Sequence, residues 1–191
     1  MKAVLLCDRE SLSYDGLNLS SKIESIVEKS NIEVELITLN GDEIKPCFGC
    51  FKCWVKTPGL CIMTSDCANT VARKEIQSDF MIILSKIEYG AHSHDIKSFL
   101  DRSIPNLAPF FEIVKGEMRH KMRYERFPII ITIGYGDFTD QECQTFINLA
   151  ERNALNMQPP KHFVFTMQNI NEIDKIAQSL GDALQGRYQN E

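Results

Sequence analysis

Five of the seven cysteines fall in one short stretch, 46–67. It reads Pro46-Cys47-Phe48-Gly49-Cys50-Phe51-Lys52-Cys53-Trp54, then continues through Cys61 to Cys67. The first four cysteines have the spacing C-x2-C-x2-C-x7-C. Two-residue gaps let neighbouring thiolates converge on one centre, and Gly49 lets the backbone turn tightly around it. Soft sulfur ligands at this spacing suit a 4Fe-4S cluster held by Cys47, Cys50, Cys53 and Cys61. A tetrathiolate zinc site is a second reading. A third is a set of free thiols that pack as small hydrophobes. Cys67 falls at the start of the next helix and reads as packing, as do Cys7 and Cys143 in apolar surroundings.

The elements that must position this stretch follow from hydropathy. Lys2–Cys7, Phe80–Leu84 and Ile129–Ile133 are unbroken apolar runs, the mark of strands buried on both faces. Ile32, Val34 and Leu36 alternate with Glu33 and Glu35, which gives a strand with one wet face at a sheet edge. Phe163–Met167 reads as a last strand. Helical stripes lie between them: Leu19, Ile23, Ile26 and Val27, capped by Asn18 or Ser20; Val71 and Ile76, capped by Ser65 or Asp66; Ile96, Phe99, Leu100 and Ile104; Cys143, Phe146, Ile147, Ala150 and Ala154; and Ile170 to Leu184.

This alternation predicts an α/β fold: a flavodoxin-like three-layer αβα sandwich with a five-stranded parallel sheet in the order 2-1-3-4-5. The whole chain, 1–191, reads as one domain with a Cys-rich loop at 46–67 and an excursion at 106–127. A nucleotide or flavin would bind beyond the carboxyl ends of the strands, where Asp8–Asn18, Ser85–Ser93 and Gly134–Thr139 are expected to be loops.

Composition narrows the function. A formal net charge of −5 disfavours non-specific nucleic-acid binding. No apolar run is long enough to span a bilayer, and the apolar part of the N-terminus is too short for a signal peptide. The expected compartment is the cytoplasm, where thiols stay reduced and clustered cysteines bind metal or do redox work.

The chain resembles the flavodoxin-like NAD(P)H-dependent FMN reductases, and especially their cysteine-bearing branch that includes the iron–sulfur flavoproteins. The resemblance rests on Pro46 to Trp54, on Thr57-Pro58-Gly59-Leu60-Cys61 with Asp66, and on Tyr89-Gly90 followed by Lys97-Ser98-Phe99-Leu100-Asp101-Arg102. It implies non-covalent FMN, NAD(P)H as electron donor, a small-molecule or protein electron acceptor, and a homodimer or homotetramer. It places the FMN ring near Tyr89, Gly90, Gly134, Tyr135 and Gly136, and the phosphate near Arg9, Ser11, Ser13 and Asn18. No side-chain acid or base is obligatory for flavin hydride chemistry, so no catalytic residue is named.

The first loop departs from the family. Asp8, Glu10 and Asp15 put three carboxylates where a dianionic phosphate should sit, and like charges repel. Three functions therefore compete: an FMN-linked reductase, an iron–sulfur flavoprotein-type electron carrier, and a non-catalytic flavodoxin-fold protein with a decayed phosphate loop. His92 and His94 read as polar loop or helix-cap residues, Trp54 as interface packing, and the basic run Arg119–Arg126 as a solvated face or oligomer arm.

Overall fold

The computed structural model describes residues 1–186, leaving 187–191 of the expected domain outside the described residues. The chain runs β1 (Lys2–Asp8), α1 (Leu19–Lys29), β2 (Glu33–Leu39), α2 (Lys52–Val55), α3 (Ala68–Gln77), β3 (Phe80–Glu88), β4 (Ala91–His92), α4 (His94–Arg102), β5 (Leu107–Val114), β6 (Glu117–Met122), β7 (Ile129–Tyr135), α5 (Asp140–Met157), β8 (His162–Met167) and α6 (Ile173–Leu184). The main sheet has the order β2-β1-β3-β7-β8, all parallel, which is the expected order.

Successive strand residues point to opposite faces, so each apolar run feeds two cores. Leu5, Cys7, Ile82, Leu84, Ile131 and Ile133 pack with Ile23 and Val27 of α1 and Leu180 of α6. Val4, Leu6, Met81 and Ile83 pack with Val71 of α3 and Ile96 and Phe99 of α4. The alternating strand β2 lies at an edge, with Glu33 and Glu35 exposed.

Three local expectations are corrected. Ser85–Ser93 is not a loop: β3 continues to Glu88 because Ser85 and Lys86 pair with Gly134 and Tyr135 of β7. The chain then reverses at Tyr89-Gly90, both with positive φ (53° and 75°), and β4 pairs back antiparallel as a sixth short strand. For the same reason Gly134 and Tyr135 belong to a strand. Of the two proposed caps for α3, neither Ser65 nor Asp66 sits at the N-cap position, which Cys67 occupies without a side-chain bond. Asp66 still accepts the Ala68 N–H at 3.2 Å. For α1, Asn18 is the cap, accepting the Ser21 N–H at 2.9 Å.

The 106–127 excursion contains the hairpin β5–β6, which closes through the left-handed pair Lys115-Gly116. It is fastened to α5: Asn156 accepts the His120 N–H, and Gln158 donates to the His120 carbonyl at 2.9 Å.

Candidate functional site

Two left-handed residues, Gly49 (φ 63°) and Phe51 (φ 53°), fold the Cys stretch back on itself just before α2. That short helix turns Cys53 into the protein, while Cys47 and Cys50 stay exposed and Cys61 is half-buried. All four line one cavity of 240 Å³, together with Phe48, Met63 and Arg102. Burial raises the Cys53 thiol pKa, and the neighbouring sulfurs of Cys61, Cys47 and Cys50 add to the effect. Among the described residues no three His, Cys, Asp or Glu side chains close around a single metal ion. The cysteines ring a space instead. The donor set is thiolate-only, the chemistry that soft metal centres take.

Arg102, the last residue of α4, holds this loop at both ends. Its guanidinium is 1% exposed. It donates to the Lys45 carbonyl at 2.8 Å, at the start of the loop, and to the Met63 carbonyl at 3.1 Å, near its end. Two further bonds, at 2.8 and 3.1 Å, form a fork on the Asp66 carboxylate. Asp66 also accepts the Lys45 N–H at 3.2 Å. Burial pushes the Asp66 carboxyl up, but Arg102 and the two backbone donors outweigh it and hold it below its ordinary value. Burial pulls the Arg102 pKa down, while Asp66 and the adjacent Cys61 thiol carry it above its usual value.

Asn69 of α3 fixes Cys61 through its backbone, accepting the Cys61 N–H and donating to its carbonyl, both at 2.8 Å. Trp54 ties α2 to the base of the hairpin by donating to the carbonyls of Ile104 (3.3 Å) and Leu107 (3.0 Å). Its ring neighbours Phe51 and His120, and His120 neighbours Phe111, so one aromatic strip runs from the Cys loop onto β5.

The second group of residues lies at the carboxyl ends of the strands. Arg9–Ser13 forms a 3-10 turn, and Tyr14–Leu17 closes a tight reversal through Asp15-Gly16. The three carboxylates of this loop separate. Glu10 and Asp15 are exposed, but Asp8 is wholly buried. The Asp8 carboxylate accepts the Ser11 N–H at 3.3 Å, the Lys86 N–H at 2.7 Å and the Tyr135 hydroxyl. Burial raises its pKa, and the Tyr135 hydroxyl, the Lys86 N–H and the Ser93 side chain pull it back in part. Burial, then the Asp8 carboxylate, raises the Tyr135 pKa.

The predicted phosphate residues therefore divide. Ser11 gives its N–H and its hydroxyl to Asp8, and Asn18 caps α1. Ser13 is exposed, and Arg9 reaches out to Asn40 at 3.2 Å. The predicted ring residues divide too. Tyr89 is 96% exposed in a left-handed conformation, and Gly136 has φ 128°. Tyr135 is in the core, its ring edge-on to Tyr14. A Cβ on Gly134 would stand 2.6 Å from Phe146 and 2.7 Å from Ile87, so that glycine serves packing. His92 is buried against Phe146 rather than in a polar loop, and burial drops its pKa to about 4. His94 opens α4 instead of capping it.

Sequence reasoning did not assign a role to Arg102 or to the acceptor function of Asp8. Asp66 and Arg102 stood within recognised motifs, and a lone arginine ending an amphipathic helix was the available signal.

The strand order and layers are those of the flavodoxin-like fold. The solved structures of an FMN-dependent NADH-azoreductase of Bacillus anthracis, in complex with FMN, and of a flavodoxin from the domain Archaea share it. The first is 13% identical and covers 97% of this chain and 99% of its own, with a TM-score of 0.57. The second is 11% identical and covers 98% of both, with a TM-score of 0.54. No protein-family model matches. Among curated proteins, an iron–sulfur flavoprotein of Methanocaldococcus jannaschii is 33% identical over 79 residues, which are 41% of this chain and 39% of that protein. The match thus spans well under half of the relative's length. Among the described residues no helix is long and apolar enough to cross a membrane.

Proposed function

We propose that this chain is a redox protein of the iron–sulfur flavoprotein kind, with its one-electron site at Cys47, Cys50, Cys53 and Cys61. The observation that carries the reading is the single cavity lined by all four cysteines. The donor set is soft and thiolate-only, as a 4Fe-4S cluster requires. Such a cluster supplies single-electron transfer at a potential set by its surroundings. The chain's own residues do the rest. Arg102 and Asp66 close the loop, Asn69 holds the Cys61 backbone, and α2 keeps Cys53 out of water while Cys47 and Cys50 stay at the surface.

FMN belongs to the same reading, with NAD(P)H as electron donor and a small-molecule or protein acceptor. Its residues fit in part. Tyr89 is exposed for the ring, but Gly90 and Gly136 are buried, Gly90 close against Thr145 of α5, and only Arg9 and Ser13 remain exposed for the phosphate. The buried Asp8 carboxylate favours a second reading, a flavodoxin-fold protein that has given up phosphate-anchored flavin. A cytoplasmic homodimer or homotetramer completes the proposal by resemblance.

The test is an anaerobic absorption spectrum of freshly purified protein, with iron, acid-labile sulfide and flavin measured on the same sample. Iron and sulfide together, both lost in Cys53→Ser, support the cluster. Flavin without iron supports a plain FMN-linked reductase with structural cysteines. Protein that holds neither, and takes up neither on reconstitution, refutes the proposal.

A further inference from the structure

The guanidinium of arginine has five N–H donors in a fixed plane. In Arg102 four have partners: the Lys45 and Met63 carbonyls and the two Asp66 oxygens. The fifth, Nε–H, is buried and makes no hydrogen bond of ordinary geometry, while the Cys61 thiol interacts with the guanidinium. A buried donor left unmade carries a desolvation penalty, larger when the group is charged. Arg102 also lines the cysteine cavity, and among the described residues it is the only arginine that does so. The fork on Asp66 fixes the plane of the group, so Nε cannot rotate away to find water without breaking that pair.

We propose that Arg102 is a positioning residue for the cysteine centre, its Nε–H being reserved as a hydrogen-bond donor to a sulfur of the iron–sulfur group held there. This inference rests on the cluster reading. Its content is that the guanidinium which clamps the loop also sets the electronic properties of the centre. A fixed cation and an N–H···S bond stabilise the more negative, reduced state, and hydrogen bonds to sulfur are a principal determinant of cluster potential.

The experiment uses the full chain, reconstituted anaerobically with iron and sulfide. Wild type and Arg102→Lys are compared for iron and sulfide per chain, and then for reduction midpoint by EPR-monitored titration. Lysine keeps the positive charge but not the planar fork. Wild type is also prepared with arginine labelled with 15N at Nε alone, and the reduced centre is probed by pulsed EPR. We expect a 15N coupling in wild type. We also expect a midpoint in Arg102→Lys lower by at least a tenfold change in the reduced-to-oxidised ratio, about 59 mV for one electron. Absence of the coupling, or equal midpoints in two cluster-bearing proteins, overturns the inference and leaves the cluster reading standing. A wild type that takes up no iron overturns both. If Arg102→Lys does not fold, the 15N coupling in wild type decides alone.

Discussion

Replacing Asp66 by Asn isolates the electrostatic part of the loop clamp. The substitution keeps shape and removes charge. It leaves the Arg102 guanidinium buried without its counter-ion, since the two side chains are only 1% and 3% exposed. The Lys45 and Ala68 N–H groups also lose a carboxylate acceptor. Breaking a buried pair by removing one partner costs about 3–5 kcal/mol, a large part of the roughly 5–15 kcal/mol that holds a domain folded. The assay is urea unfolding of wild type and Asp66→Asn in parallel. A loss below about 1 kcal/mol, the level of an exposed pair, would refute the argument. The pH dependence supplies an independent check. The folded carboxyl is held below its ordinary value of 3.8, so its stabilisation is complete above that pH and disappears as pH falls through the depressed folded value. The gap between wild type and Asp66→Asn should therefore narrow only on acidification.

Two further outcomes are expected. Glu75 of α3 is fully buried, and burial lifts its pKa from 4.5 to about 7, opposed by the Asn106 amide donating at 2.8 Å. The folded state holds this proton more tightly than the unfolded chain, so stability should fall as pH rises from 4.5 to about 7 and level off above, by up to about 3 kcal/mol. Glu75→Gln should flatten that slope; parallel stability profiles would contradict it. Asp8→Ser removes the carboxylate that occupies the Ser11 and Lys86 N–H groups. It should tighten FMN relative to riboflavin by about tenfold or more, some 1.4 kcal/mol, measured by quenching of flavin fluorescence. Glu10→Gln and Asp15→Asn, being exposed, should leave that ratio nearly unchanged. An unaltered ratio in Asp8→Ser would show that the buried carboxylate is no competitor for phosphate.

The sheet was legible because burial on both faces writes itself as uninterrupted apolar runs, as in Phe80–Leu84 and Ile129–Ile133. The wet edge strand was legible because Glu33 and Glu35 alternate with apolar neighbours. The extension of β3 was not, since Ser85 and Lys86 are polar and are held in the strand by pairing with β7, a non-local cause. The hairpin escaped because Lys115-Gly116 is a weak turn signal and exposed Phe110, Phe111 and Ile113 blur its alternation. At the candidate site, the four cysteines that stand together in sequence line one cavity. The inward turn of Asp8 was invisible, because charge alone predicts exposure and its three donors come from residues 3, 78 and 127 positions away.

The clamp on the cysteine loop also sets an order of events during synthesis. Asp66 and Arg102 are 36 positions apart, and domains emerge amino end first. All four thiols therefore leave the ribosome well before the arginine that closes the loop over them. In that interval the loop lacks α4, the wall that completes its cavity. The cavity is therefore complete only once α4 has docked, later than the synthesis of the cysteines that line it.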